Sequence, residues 1–164
     1  TRTPPLPRVG RIEPSLALDL GHLARLEGYS LQVRRQRGVV RSLEPGDEIE
    51  LTLFWRAEAK IGERFTVFTH LAGTAFNPAS NGPVWAQHDS EPLEGGLPTT
   101  QWFPEEIIAD THLLAIDPHA PEGEYELEVG LYRLLTGERL TVWDRDGQTV
   151  GDRVLLGRWS VQRN

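Results

Sequence analysis

A chain of 164 residues with a formal charge of −7 and neither Cys nor Met is of single-domain size; folding at that length buries roughly 70% of the unfolded chain's surface, so no cross-link or structural metal is required. The missing Cys excludes disulfide frameworks, thiolate zinc sites and thiol catalysis. The acidic balance argues against a nucleic-acid partner, no apolar run approaches the ~18 residues of a membrane span, and no basic start with an apolar stretch marks a secretory leader.

The stretch 1–14 carries Pro4, Pro5, Pro7 and Pro14 with little apolar periodicity. It reads as an extended Pro-rich linker, with the folded domain expected over 15–164. A start at Thr1 and the absence of Met are what a segment of a longer protein shows. Further on, Arg34-Arg35-Gln36-Arg37 is the one dense basic cluster, and on an acidic domain it reads as a solvated strand end or loop.

From there period-two alternation dominates. In 47–56, Ile49, Leu51, Leu53 and Trp55 face one way, while Glu48, Glu50, Thr52 and Arg56 face the other. In 124–131, Tyr125, Leu127, Val129 and Leu131 are expected inward against a row of glutamates. Further strands are predicted over 16–20, 29–33, 65–71, 84–89, 107–116, 140–143 and 154–161. Between them lie turn residues: Pro45-Gly46-Asp47, Asn81-Gly82-Pro83, Gly95-Gly96, Pro121-Glu122-Gly123, Thr136-Gly137-Glu138 and Asp146-Gly147. About eight or nine short strands without a long amphipathic helix predict an all-β chain, a two-sheet antiparallel β-sandwich of the immunoglobulin or jelly-roll kind, with a closed barrel as the alternative. Residues 44–51 and 120–127 echo each other as a Pro/Gly turn feeding a half-buried strand, too briefly to indicate duplication.

Catalytic motifs are poor. Gly28-Tyr29-Ser30-Leu31-Gln32 begins like a nucleophile elbow but has Gln32 where the sharp turn needs Gly, and no helix follows. Asp144-Arg145-Asp146, with Asp152 nearby, has the spacing of a divalent-cation motif; the simpler reading is a hairpin turning at Asp146-Gly147, and no metal or other cofactor is expected. Asp110 and His112 share a strand face, and His88-Asp89 lies on another strand that could adjoin it, which makes a weaker metal candidate. The paired carboxylates of a glycosidase need a separation of about 5–10 Å that a sequence does not display.

The aromatic residues point to binding. Trp55 and Tyr125 are in phase with the core. Trp85, Trp102 and Trp143 sit beside loops, where indole faces can stack on sugar rings while Gln87, Asp89 and Asp144 bond hydroxyls. The competing reading buries these indoles under loops. Phe54, Phe68 and Tyr132 fall on the nominally polar faces of their strands and form a candidate interaction patch for a partner domain.

A spaced set of segments extends beyond these patterns: Gly28-Tyr29-Ser30-Leu31, Pro45-Gly46-Asp47, 51–57, 65–71, Ala86-Gln87-His88-Asp89, Pro98-Thr99-Thr100 with Trp102, Gly123-Glu124-Tyr125, Val129-Gly130-Leu131-Tyr132, 136–140 and 151–157. Together they resemble the β-rich C-terminal domain of membrane glycosyltransferases of the mannosyltransferase-like, lipid-linked-sugar class in Chloroflexi-type bacteria, over about 28–157. The resemblance implies a soluble extracytoplasmic domain tethered through a membrane-embedded catalytic portion of a parent chain, with no catalytic residues of its own. It implies an accessory role, positioning or binding a glycan or lipid-linked sugar; the alternative is a structural or protein-interaction module without a ligand. The stretch 73–83 is longer than the usual hairpin there and is a candidate binding loop.

Overall fold

Period-two alternation becomes strand wherever the sequence carries it. The computed structural model describes residues 15–36, 38 and 40–163; the expected linker over 1–14 and Arg37 of the basic cluster lie outside the described residues. The strands are β1 (Ser15–Leu20), β2 (Ala24–Val33), β3 (Glu48–Ala57), β4 (Thr66–Asn77), β5 (Gly82–Gln87), β6 (Ile107–Ala115), β7 (Gly123–Tyr132), β8 (Val142–Trp143), β9 (Thr149–Gly151) and β10 (Val154–Val161). They form a six-stranded sheet in the order β6-β3-β2-β1-β8-β9 and a four-stranded sheet in the order β10-β7-β4-β5. Every named pairing is antiparallel. The expected two-sheet sandwich is therefore the fold, and no helix among the described residues is long and apolar enough to cross a membrane.

The alternating apolar positions meet between the sheets. Leu20, Leu26, Ile49, Leu51, Leu53 and Trp55 enter from the larger sheet, and Val67, Leu71, Tyr125, Leu127, Val129 and Leu131 from the smaller, all buried. Each aliphatic side chain so buried contributes about 1.5–3 kcal/mol, which fixes register, because a one-residue slip would carry the whole set to water.

Where the strands differ from expectation, the cause is a break in phase. β2 begins at Ala24 rather than near residue 29, because a bulge between Leu26 and Gly28, opposite Trp55 and Phe54, interrupts the alternation. Ala24 and Leu26 are inward before it and Tyr29, Leu31 and Val33 pair with inward residues after it, so a period-two count loses the first half. β4 runs on to Asn77, which makes the expected loop over 73–83 mostly a long hairpin that turns at 78–81 with Asn81 at φ 55°. β9 is exposed at each of its three residues, so it has no apolar pattern to read.

Candidate functional site

β8 has only two residues, and Val142 is buried inward, so Trp143 stands on the outer face of the six-stranded sheet near its edge. Its cross-strand partner is Asp19. The β1–β2 turn passes through left-handed backbone at Gly21 (φ 66°) and His22 (φ 57°), which swings the His22 ring onto the indole with centroids 3.8 Å apart and planes 18° from parallel. Asp19 fixes this arrangement: its Oδ1 accepts the His22 backbone N–H at 2.7 Å, and its Oδ2 lies 3.1 Å from Nδ1. On the other side, Asp144 Oδ1 accepts the backbone N–H groups of Asp146 (2.9 Å) and Gln148 (3.0 Å), holding the β8–β9 turn in which Gly147 takes φ 78°.

A cleft of ≈ 550 Å³ opens here, lined by Ala17, Asp19, His22, Arg25, Trp143 and Asp144, with Arg145 and Gly147 on the turn side. Ala17 is itself left-handed, at φ 51° within a β1 irregularity, so two non-glycine residues of strained backbone border one cleft. Such strain concentrates at ligand sites because surrounding structure has to maintain it. Glu58 stands beside the cleft, 3.4 Å from Arg25. Burial holds its carboxyl above the usual glutamate range, and the neighbouring Asp19 carboxylate adds to the effect. The cleft thus combines an indole, carboxylate acceptors and a guanidinium donor, the equipment for a hydroxyl-rich ring with an apolar face.

The other predicted binding residues lie elsewhere. Trp85 and Gln87 border a separate hollow of ≈ 320 Å³ with Asn77, Ser80 and Asp117, at the end of the β4–β5 hairpin. There the Trp85 indole is buried and donates its Nε1–H to the Ala75 carbonyl at 3.1 Å, and Gln87 is exposed. Trp102 is a correction: fully buried, it donates Nε1–H to the Leu97 carbonyl at 3.0 Å and packs 6.3 Å from Trp55, so it offers no face to a ligand. Asp89 is also apart from the indoles, within reach of His70 Nε2 and accepting the Tyr132 hydroxyl, both at 3.1 Å. Of the six predicted residues, only Trp143 and Asp144 meet in the larger cleft.

The expected aromatic patch is likewise corrected. Phe54 and Phe68 point outward as their phase requires, yet are only 6% and 1% exposed. Phe54 stands in register between Gly28, which has no side chain, and Ala109, which has only a methyl. Phe68 lies over Gly130, where an added Cβ would meet its ring at 2.5 Å, and the Arg139 guanidinium covers it at 4.2 Å from the centroid. Tyr132, half-buried, flanks it at 6.2 Å. The chain's own residues occupy the face that a partner domain was expected to cover.

Asp110 and His112 do share a face, and it is the inward one: both are fully buried on β6, in phase with Ile108 and Leu114. His112 Nε2 lies 2.6 Å from Asp110 Oδ2, and its Nδ1 lies 2.7 Å from Nδ1 of His88, which follows β5 in the opposite sheet. Asp110 Oδ1 accepts the Leu93 backbone N–H at 2.8 Å, and His88 Nε2 stands 3.6 Å from Glu94. With the Asp110 carboxylate accepting, His112 carries a proton on Nε2, and its Nδ1 shares one hydrogen bond with His88 Nδ1. This chain stitches the two sheet edges and pins Leu93 and Glu94, which sit at φ 55° and 52°. Two polar residues in phase with apolar neighbours were the sequence signal for it.

The acidic metal candidates are otherwise engaged: Asp144 braces its turn, and Asp152 pairs with Arg139 at 3.6 Å. Among the described residues no cluster of three or more His, Asp or Glu side chains is arranged to hold a metal ion. Ser30 of the elbow-like segment is exposed in the middle of β2, without the turn that segment would need.

No family model matches the chain, and no curated protein matches it. Among solved structures, the chain is similar to the C-terminal domain of Wzt, at 14% identity over 94% of this chain and 84% of that one, with a TM-score of 0.59. It also aligns with a Niemann-Pick type C2 protein from Japanese carpenter ant, at 5% identity over 85% and 93% of the two chains and a TM-score of 0.45. At 14% identity the first likeness is one of fold.

Proposed function

We propose that this chain is a non-catalytic accessory β-sandwich that binds a glycan, or the sugar portion of a lipid-linked acceptor, in the cleft beside Trp143. In this reading it serves a parent membrane glycosyltransferase, to whose membrane-embedded portion it is tethered on the extracytoplasmic side. The observation that carries the binding is the indole itself. Trp143 is half-buried, steadied on one side by the Asp19-anchored His22 ring, at the wall of a cleft edged by Asp144 and Arg25. Ordering an aromatic platform before the ligand arrives removes part of the entropic cost of binding. Glycan-array screening followed by titration calorimetry with cell-wall polysaccharides tests this. Trp143→Ala is expected to abolish binding and Trp102→Phe to leave it unchanged; binding indifferent to Trp143→Ala refutes the site.

A second reading, an interaction module without a ligand, draws on a different feature. Leu134 and Leu135 are 69% and 100% exposed at the tip that follows β7. That reading expects no glycan to bind and a gain in solubility for Leu134→Ser/Leu135→Ser.

A further inference from the structure

The sheet register extends the Trp143 cleft into a line of side chains. Trp143 pairs with Asp19, Asp19 with Arg25, and Arg25 with Arg56. All four project from the outer face, because their chain neighbours Val142, Leu20, Ala24 and Trp55 are buried inward. The row therefore crosses β8, β1, β2 and β3 at right angles to the strands. Three inter-strand steps of about 4.8 Å give a span of about 14 Å, the length of about three linked pyranose rings.

The charges along this row are matched internally. The β2 bulge places Glu27 between the two arginines, 3.5 Å from Arg25 Nε and 3.9 Å from Arg56 Nη2. Arg25 also meets Glu58 at 3.4 Å, and Arg56 meets Glu105 at 3.3 Å. Arg25 and Arg56 thus each have two carboxylates, so neither offers an unmatched positive charge to a uronate or phosphate on a chain whose net charge is already −7. An anion at either arginine would have to displace an existing pair. Neutral hydroxyls need no such exchange, since interleaved carboxylates and guanidiniums supply acceptors and donors together.

We propose that the occupant is an uncharged oligosaccharide lying across the strands, one ring on Trp143 and the next rings over Arg25 and Arg56. This rests on the glycan-binding reading of the Trp143 cleft and adds its direction, length and charge class.

The test is titration of the full chain with neutral manno-oligosaccharides of one to four rings, alongside galacturonate and glucosamine oligomers of the same lengths. Affinity is expected to rise with each ring up to about three and then level off. Arg56→Ala is expected to weaken the three-ring ligand about fivefold or more while leaving the single sugar unchanged, whereas Trp143→Ala removes both. Amide shift mapping on the unmodified protein gives a readout independent of any variant: Arg25 and Arg56 move with three rings, and only the Trp143 neighbourhood with one. If no sugar binds, the glycan-binding reading itself falls. If a single ring binds as well as three, if Arg56→Ala is silent with an unshifted Arg56 amide, or if a charged oligomer binds tighter, the extended neutral groove is wrong and the cleft stands alone.

Discussion

Replacing Asp110 by Asn keeps the side chain's size and removes half of its accepting capacity. In the wild-type protein one carboxylate oxygen takes the Leu93 backbone N–H at 2.8 Å and the other meets His112 Nε2 at 2.6 Å, with the Asp110 and His112 side chains fully buried. An amide oxygen satisfies one of these donors, and the new NH₂ group is then directed at the other. A buried donor stripped of its acceptor costs about 1–3 kcal/mol, more when the lost partner was charged, so Asp110→Asn is expected to lose about 2–4 kcal/mol. For a domain of this size each kcal/mol lowers Tm by about 2–4 °C, giving a fall of roughly 4–16 °C. The loss includes support for Leu93 and Glu94, whose left-handed backbone the Asp110 bond helps to hold. Thermal unfolding followed by circular dichroism reads the stability, and hydrogen exchange at the Leu93 amide reads the local release. Asp146→Asn in the exposed β8–β9 turn is the comparison and is expected to stay within about 0.5 kcal/mol of wild type. An Asp110→Asn protein that melts with wild type and protects the Leu93 amide equally would refute the assignment of Asp110 as acceptor for both donors.

Two further outcomes follow from packing and charge. Gly130→Ala places a methyl 2.5 Å from the Phe68 ring, which Arg139 covers; a loss of about 1–3 kcal/mol is expected, and Phe68→Leu in the same protein should recover much of it, as a double-mutant cycle would show. Glu58 holds its proton more tightly folded than unfolded, so its contribution to stability is full below the ordinary glutamate range and is lost as pH rises through the folded value. Glu58→Gln is therefore expected to gain on wild type as pH rises from about 4 to about 7, and a stability difference that stays flat across that range in denaturant titrations would contradict the sign.

Alternation and turn residues were enough to specify an all-β chain and most of its inward faces, because a strand's side chains obey period two whatever the strand pairs with; the pairing of strands into two sheets rather than a closed barrel came from the tertiary structure. Ile49, Leu51, Leu53 and Trp55 on β3, and Tyr125, Leu127, Val129 and Leu131 on β7, are buried as their spacing requires. What alternation does not encode is which strands adjoin and what covers a face. The β2 bulge at Glu27 broke the phase and hid half a strand. Gly130 and Arg139 enclosed Phe68 from distant points in the chain. Trp102 and Trp143 look alike in sequence, each an indole beside polar residues, yet one fills the core against Trp55 and the other stands outside on His22. His22 itself, an exposed turn residue with no pattern of its own, became part of the cleft only because a left-handed turn brought it over β8. Local periodicity determined the fold class; cross-strand register and backbone handedness, which depend on contacts far apart in sequence, decided the site.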